Sequence, residues 1–579
     1  MDAPAMMLAQ APATFSLPAG PLETALTTLA RQAGVTLAFD PALVRGKTTA
    51  AINQTGSLAE VLQRVLRPHA LEALATSAGS FTVRQSVTQR SSSTGSNPRT
   101  GASAEADSQL PTVTVTAAPV VSPTDLPKPF AGGQVGRGSQ LGVLGNRDFR
   151  ETPFSTSSYT SQLAEEQQAR SLADVVANDP SVTSVYNRFQ GLDTFTIRGF
   201  TVDRANFQFN GLYGLSPVGQ NLVFGLERVE VLRGPSALLG GANAAVGGTV
   251  NLVPKRAPNE GISRLTVGFQ SESTTYLHAD VGRRFGASKE WGVRVNALYR
   301  DGATPISGQK ETVPAATIGV DYRSERLKFS LDAGYQDSLI RPQSRALVFD
   351  PSIGVPRAPD AGQGRQQPFE RLAIQDNFFT TRVEYELTPA ISAYASYGQR
   401  RDRQEIFVSA SRIINAAGDM TQFVLDAPRD SVVRVAEVGL RGRLQIGSVD
   451  NRWALSMSDF DALQGFNFVG YNTLNSNIYS PSFFAPPVRQ QATGSRTNTQ
   501  FRSIVFANTF SMLEDRLQVT VGARQQTIGT KDPDNAAADR YKESALTPAL
   551  AASYRLSKTT SVYGNYIEAL EQGPTAPVT

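Results

Sequence analysis

The sequence predicts a mainly β protein: a transmembrane β-barrel, preceded by a turn-rich globular stretch and a small α/β module. Three observations carry that reading. After about residue 260 the chain becomes a series of short segments in which apolar and polar residues alternate with period two, as in strands with one apolar and one wet face. Charged residues are only 18% of the 579, below the ~25% usual in soluble domains, yet hydrophobic content stays at 40%. No stretch approaches the ~18 consecutive apolar residues of a transmembrane helix, so a membrane crossing would have to use strands.

Composition removes several function classes. Cysteine is absent, which excludes disulfide frameworks, thiolate metal sites and cysteine nucleophiles. The two histidines, His69 and His278, leave almost nothing for histidine-based triads or His-rich metal sites. A net charge of +4, without a dense Lys/Arg run, offers no footprint for nucleic acid. With no nucleophile–base pair and no metal cluster in view, no catalytic or metal-ligating residue is assigned, and an enzyme is not expected. The length would suit about four domains at ~150 residues each, but a large barrel grows as one sheet.

Taken in order, residues 1–13 lack the basic start and apolar core of a signal peptide and read as a leader remnant, with cytoplasmic residence as the alternative. In 14–85, segments 15–17 and 35–39 read as strands. Between them Leu22, Ala25, Leu26, Leu29 and Ala33 recur at helical spacing. The pattern repeats with 49–52 extended, a helix carrying Leu58, Val61, Leu62, Val65 and Leu66, and strands at 71–75 and 81–83. Ser57 with Glu60 three residues later is a capping-box signal for that second helix. Two βαβ units make a compact module. Residues 86–109, SVTQRSSSTGSNPRTGASAEADSQ, cannot bury enough surface to fold. They form a leash with an r.m.s. span of roughly 27 Å.

Residues 110–255 are rich in glycine and turns, with one helical stretch from about Leu163 to Val176. The barrel strands follow. Leu327, Phe329, Leu331, Ala333 and Tyr335 alternate with Lys328, Ser330, Asp332 and Gly334, and 381–387 and 516–524 repeat the device. There are about 14 such segments, with long connections near 341–370, 412–431 and 460–498. A soluble sandwich or propeller would alternate too. The strand number and the long loops on one side favour the membrane barrel.

The third zone carries a resemblance. It reads LGNRDFRETPFSTSSYT at 144–160, SLADVVANDPSV at 171–182, TFTIRGF at 194–200 and LERVEVLRGPSALLGGANAAVGGTVNLVPKRA at 226–257. In order and spacing these resemble the plug domain of TonB-dependent siderophore receptors of the bacterial outer membrane. LPTVTVT at 110–116 looks like the TonB box, and 14–85 resembles the N-terminal signalling domain of transducing members, shared with secretins. The resemblance implies a plug at 117–258 inside a barrel that begins at 259 and has 22 strands in the family. Eight further strands would need about 180 more residues, and 573–579 is a loop-like tail, so 259–579 is expected to be a partial barrel of a C-terminally truncated receptor.

Function follows as an implication of that likeness. The expectation is import of a ferric siderophore, driven through TonB and its inner-membrane motor proteins, from an outer-membrane site with the N-terminal domain in the periplasm. Ligand occupancy would pass from residues 14–85 to an anti-sigma regulator. Outer-membrane lipid is a partner and nucleic acid is not; no cofactor is expected, because a siderophore already saturates its iron. Haem, cobalamin or an oligosaccharide as substrate, or a truncated barrel that senses without transporting, are the alternatives.

Within that frame Leu110, Pro111, Thr112, Val113, Thr114, Val115 and Thr116 form the TonB box, β-branched and suited to adding as a strand to a partner's sheet edge. Arg198, Arg228, Glu230 and Arg233 are charges that must sit inside a barrel, expected to pair with lumen groups such as Glu384 and Glu386, the alternative being a purely structural arginine network. Arg204, Phe207, Phe209 and Tyr213 mix rings with a cation and are candidates to bind an iron chelate, the alternative being that the rings are plug core. His278 falls on the polar face of a barrel strand, where it is expected to be solvated.

Overall fold

The structure is a computed structural model. It describes residues 13–33, 36–38, 41–44, 46–56, 58–69, 71–77, 80–85, 128–241, 245–270, 272–349, 351–534, 539–557 and 559–571. The chain divides into two compact units, Met1–Val115 and Thr116–Thr579. The leash, the TonB box and the cap residue Ser57 lie outside the described residues.

In the first unit the helices Leu22–Ala33 and Leu58–Leu66 form where the apolar spacing places them. Their stripes supply the core: Leu22, Leu26, Leu29, Val61, Leu62 and Leu66 are at most 1% exposed. Each such side chain contributes about 1.5–3 kcal/mol by leaving water. Ala13–Leu17 pairs antiparallel with Ile52–Gly56. Thr36–Ala38 lies parallel to Ser80–Gln85, which pairs antiparallel with Leu71–Ser77.

In the second unit a five-stranded sheet runs in the order Ser155–Thr160, Leu226–Arg233, Gly248–Pro254, Gln208–Phe209, Leu212–Tyr213. A three-stranded sheet, Val182–Ser184, Phe195–Ile197 and Phe200–Val202, packs with it. The helical stretch read as continuous is two short helices, Ser161–Glu166 and Leu172–Val176. The first ends where Gln168 turns to φ 52°. The second starts afresh, its Asp174 carboxylate accepting from the backbone N–H groups of Arg170 (2.9 Å) and Ser171 (3.3 Å).

From Ile262 to Ile567 a 15-stranded sheet follows chain order, neighbour to neighbour and antiparallel apart from one two-residue addition, Val348–Phe349. The segments read at 391–397 and 404–411 are one strand, Ile391–Ile413. The connection read at 412–431 holds Asp419–Asp426, which shares one position in the sheet with Arg429–Ile446. Pro428, which has no N–H to give, stands between them. Val449–Asn477 likewise extends well into the connection read at 460–498. Turns such as 324–326, 389–390 and 447–448 are tight, whereas the 342–370 and 478–492 connections emerge at the opposite end.

The alternation has the sense expected of a membrane barrel. On Trp291–Ala303, Trp291, Val295 and Tyr299 point outward and are exposed, while Arg294, Asn296 and Arg300 are buried toward the lumen. No described helix is long and apolar enough to cross a membrane. The sheet wraps the plug from its first strand, where Arg264 meets Glu165, to its last, where Asn565 donates to the Pro153 carbonyl at 2.7 Å. Among the described residues Ile262–Phe269 and Ser561–Ile567 each pair on one side only.

Candidate functional site

Buried ion pairs join plug to wall. Strand Gly248–Pro254 is followed by two cations in succession, whose side chains go to different barrel strands. Lys255 Nζ lies 3.1 Å from Asp280, which also accepts from Arg294 Nε and Nη2 at 2.8 and 2.7 Å. Arg256 grips Asp332 with both terminal nitrogens, Nη2 to Oδ2 at 2.8 Å. Arg170 Nη2 is 2.5 Å from Glu311. All three carboxylates are at most 3% exposed. Leaving one partner alone in such surroundings costs about 3–5 kcal/mol, so these pairs resist separation.

Other contacts between plug and wall use a different chemistry. Arg441 donates to the carbonyls of Gly142 (2.8 Å) and Val143 (3.0 Å), and Arg524 donates to Leu238 O (2.8 Å). Asp376 accepts from the backbone N–H of Val218 at 3.1 Å and of Gly219 at 3.4 Å. Gly142 is required there: its φ is 51°, and a Cβ would stand 2.1 Å from the Leu239 carbonyl oxygen.

The charges singled out in the motifs pair within the plug and not with Glu384 or Glu386, as a structural arginine network would. Arg233 binds the Asp179 carboxylate and donates to Ser157 (2.6 Å), Ser181 (2.8 Å) and Ser155 (3.3 Å). Arg198 also reaches Ser155, at 3.4 Å. Glu230 accepts from Gln140 N (2.9 Å) and Asn251 Nδ2 (3.0 Å), and Arg228 donates to Gly138 O (3.2 Å). These partners belong to the plug. Leu226–Arg233 is an interior strand, flanked on both sides, so its side chains meet neighbouring plug strands before the wall. Glu384 pairs instead with Arg382 and Arg441 of the barrel, and Glu386 is exposed.

The ligand candidates are corrected in the same way. Phe207 is fully buried and stacks on Phe195 at 5.7 Å, and Phe209 packs on Phe378 of the wall at 4.6 Å. Tyr213 is buried against Gly240. The rings are plug core, because apolar partners on both plug and barrel outcompete water for their faces. Arg204 stays half-buried, its charge acting on Arg400 and Arg429. His278, expected to be solvated, is half-buried and meets Phe224 of the plug edge-on at 5.7 Å.

Plug carboxyls are tuned by burial. Burial pushes Asp193 up to about 7, against the opposing hydrogen bonds from Asn221. Burial also raises Glu230, more than Arg228 and its hydrogen bonds lower it. At Asp179 burial is outweighed by Ser181 and Arg233, which hold the carboxyl below the usual range. Among the described residues no three His, Asp or Glu side chains gather to hold a metal.

Lys255, Arg256 and Arg170 were not singled out by sequence reasoning. The available signal was the pair of consecutive cations closing a motif strand, opposite aspartates on the polar face of barrel strands.

A plug of small sheets, locked by buried charge inside an antiparallel meander with an apolar exterior, defines a plugged outer-membrane barrel. Residues 148–248 match the TonB-dependent Receptor Plug Domain, and 429–577 match the TonB dependent receptor-like beta-barrel. The crystal structure of BauA, the ferric preacinetobactin receptor of Acinetobacter baumannii, is 31% identical with a TM-score of 0.74, covering 77% of this chain and 68% of that one. The chain belongs to the TonB-dependent siderophore receptors, a family of outer-membrane receptors and not of enzymes. The ferrichrome receptor FcuA of Yersinia enterocolitica is 32% identical over 471 residues, 78% of this chain; the chain spans 61% of that receptor's length. The ferripyoverdine receptor of Pseudomonas aeruginosa shares the fold over 97% of this chain and 71% of its own, at 16% identity and a TM-score of 0.66.

Proposed function

We propose that the protein imports a ferric siderophore across the outer membrane, with energy delivered by TonB and its motor proteins to residues 110–116. The observation that carries this reading is that the relatives at 31% and 32% identity are named for ferric preacinetobactin and ferrichrome, both iron chelates. The locked plug supports the energy requirement, since ion pairs of this kind do not open for a passively diffusing solute. In an outer membrane lacking other siderophore receptors, uptake of radioiron as a ferric siderophore should cease with a protonophore and on deletion of 110–116, while binding persists. Uptake indifferent to both would sink the proposal.

Residues 14–85, in the periplasm, report occupancy to an anti-sigma regulator in this reading. Support comes from the separate compact unit at the N-terminus and from a fold likeness to the ferripyoverdine receptor that extends over 97% of the chain. Deleting 14–85 should stop ligand-induced transcription and leave uptake intact; loss of uptake would make the unit part of the transporter instead. The corresponding organisation is leader remnant 1–13, signalling domain 14–85, leash 86–109, TonB box 110–116, plug 117–258 and barrel 259–579.

A further inference from the structure

Two cavities between plug and wall share the strands Lys310–Arg323 and Leu327–Arg341, the larger reaching on to Arg371–Thr388 and Arg429–Ile446. The larger, about 440 Å³, sits toward the tight turn joining those strands, against Arg323, Lys328 and Ser330. Plug residues Gln140 and Asn146 close its other side. The smaller, about 40 Å³, lies further along the same strands, against Thr317, Gly319 and Gln336. Arg256 lines the first and Asp332 the second, so their two-pronged ion pair stands at the partition.

Elsewhere the plug also meets the wall at close range. A Cβ at Gly214 would come within 2.9 Å of the Phe460 ring, and one at Gly522 within 2.9 Å of Leu238. Beside the latter, Arg524 holds the Leu238 carbonyl directly. The large cavity is lined by charge of both signs, Arg382, Arg441, Glu384 and Glu437 among them. Tyr394 lies between Arg382 and Arg441, with ring distances of 4.4 and 4.5 Å, and donates to Glu437 at 2.6 Å. Such walls stay hydrated and suit a polar, charge-bearing organic chelate. Its volume falls within the ~300–1,000 Å³ of ordinary ligand sites.

We propose that this cavity is the exit chamber for the imported substrate, and that the Arg256–Asp332 pair is the gate between it and the space above. The assignment rests on the import reading and adds the route, along one wall of the barrel. Swinging Arg256 away joins the two cavities while Arg524 keeps its hold on the Leu238 carbonyl. When Arg256 leaves, Asp332 keeps two neutral donors, Asn210 Nδ2 and Thr380 Oγ1, each at 3.4 Å.

The test uses the full 579-residue chain in lipid vesicles, reading the rate of swelling in an uncharged pentose relative to the parent protein. Arg256→Ala removes the partition and should raise the rate several-fold, whereas Arg256→Lys should restore most of the block. Adding Ser330→Trp to Arg256→Ala should return the rate to the parent value by filling the chamber. Gln343→Ala, which deletes another plug–wall hydrogen bond (to Gln190 O, 3.0 Å), should not raise it. Equal leakage from Gln343→Ala, no leakage from Arg256→Ala, or no reversal by Ser330→Trp would each overturn the gate. Titration of the same proteins with a ferric chelate separates the two claims: intact binding with a failed gate leaves import standing, and absent binding with the expected leak removes import as the chamber's purpose.

Discussion

Replacing Asp193 by Asn isolates one buried proton. Asp193 Oδ2 accepts from Asn221 N at 2.6 Å and Asn221 Nδ2 at 3.3 Å, but Oδ1 has no partner and the residue is 3% exposed. Burial first, with the Asp174 charge adding to it, pushes the carboxyl up to about 7. An unfolded aspartate titrates near 3.9. Between those values the folded plug keeps a proton that the unfolded chain has released, so stability falls as pH rises from about 4 to about 7 and then levels off. Roughly three pKa units at about 1.4 kcal/mol each set a ceiling of about 4 kcal/mol. Asparagine imitates the neutral form at every pH. Asp193→Asn should therefore match the parent near pH 4 and exceed it at pH 8 by up to that amount. Hydrogen exchange of the amides in Phe195–Ile197, corrected for the intrinsic pH dependence of exchange, reads the difference. Protection that changes identically with pH in both proteins, or a less stable variant at pH 8, would refute the reasoning.

Three other substitutions probe the plug and its lock. Arg233→Ala leaves the Asp179 carboxylate buried without its guanidinium and should cost the plug about 3–5 kcal/mol by denaturant titration. In the parent the lowered Asp179 pKa contributes stability above the ordinary aspartate range that disappears as pH falls through the lowered value, so the variant should also lose part of the acid sensitivity. Asp280→Asn leaves Lys255 and Arg294 buried against a neutral amide; plug amides should exchange faster and the plug should unfold at lower urea, an effect Asp280→Glu should partly spare. Phe209→Ala should destabilise by about 3–5 kcal/mol through the void left against Phe378, with chelate affinity unchanged under conditions where the plug is folded. A selective loss of affinity there would restore Phe209 to the ligand site.

Much of the fold was legible because period two and period 3.6 are local properties. The stripe of Leu22, Leu26 and Leu29 marks a helix wherever it sits, and the Arg294, Asn296, Arg300 face marks a lumen wherever the sheet curls. Strand ends were less legible. Asp419–Asp426 was hidden in a connection because its partners, the far ends of Ile391–Ile413 and Val449–Asn477, are themselves beyond the obvious alternation. Contacts between distant segments were not legible at all. Arg233 and Arg256 are both motif cations, yet one stays within the plug and the other crosses to the wall, and nothing local tells them apart.

The sequence by itself determined the element types, the order of module, plug and barrel, and the outward apolar and inward polar faces, since each depends only on spacing along the chain. Tertiary structure alone decided which charges lock the plug, that Phe207, Phe209 and Tyr213 are core, and where space remains beside Arg256. Those outcomes depend on which surfaces from separate segments of the chain meet, and burial, which sets both the cost of a lone charge and the proton affinity of Asp193, exists only once they have met.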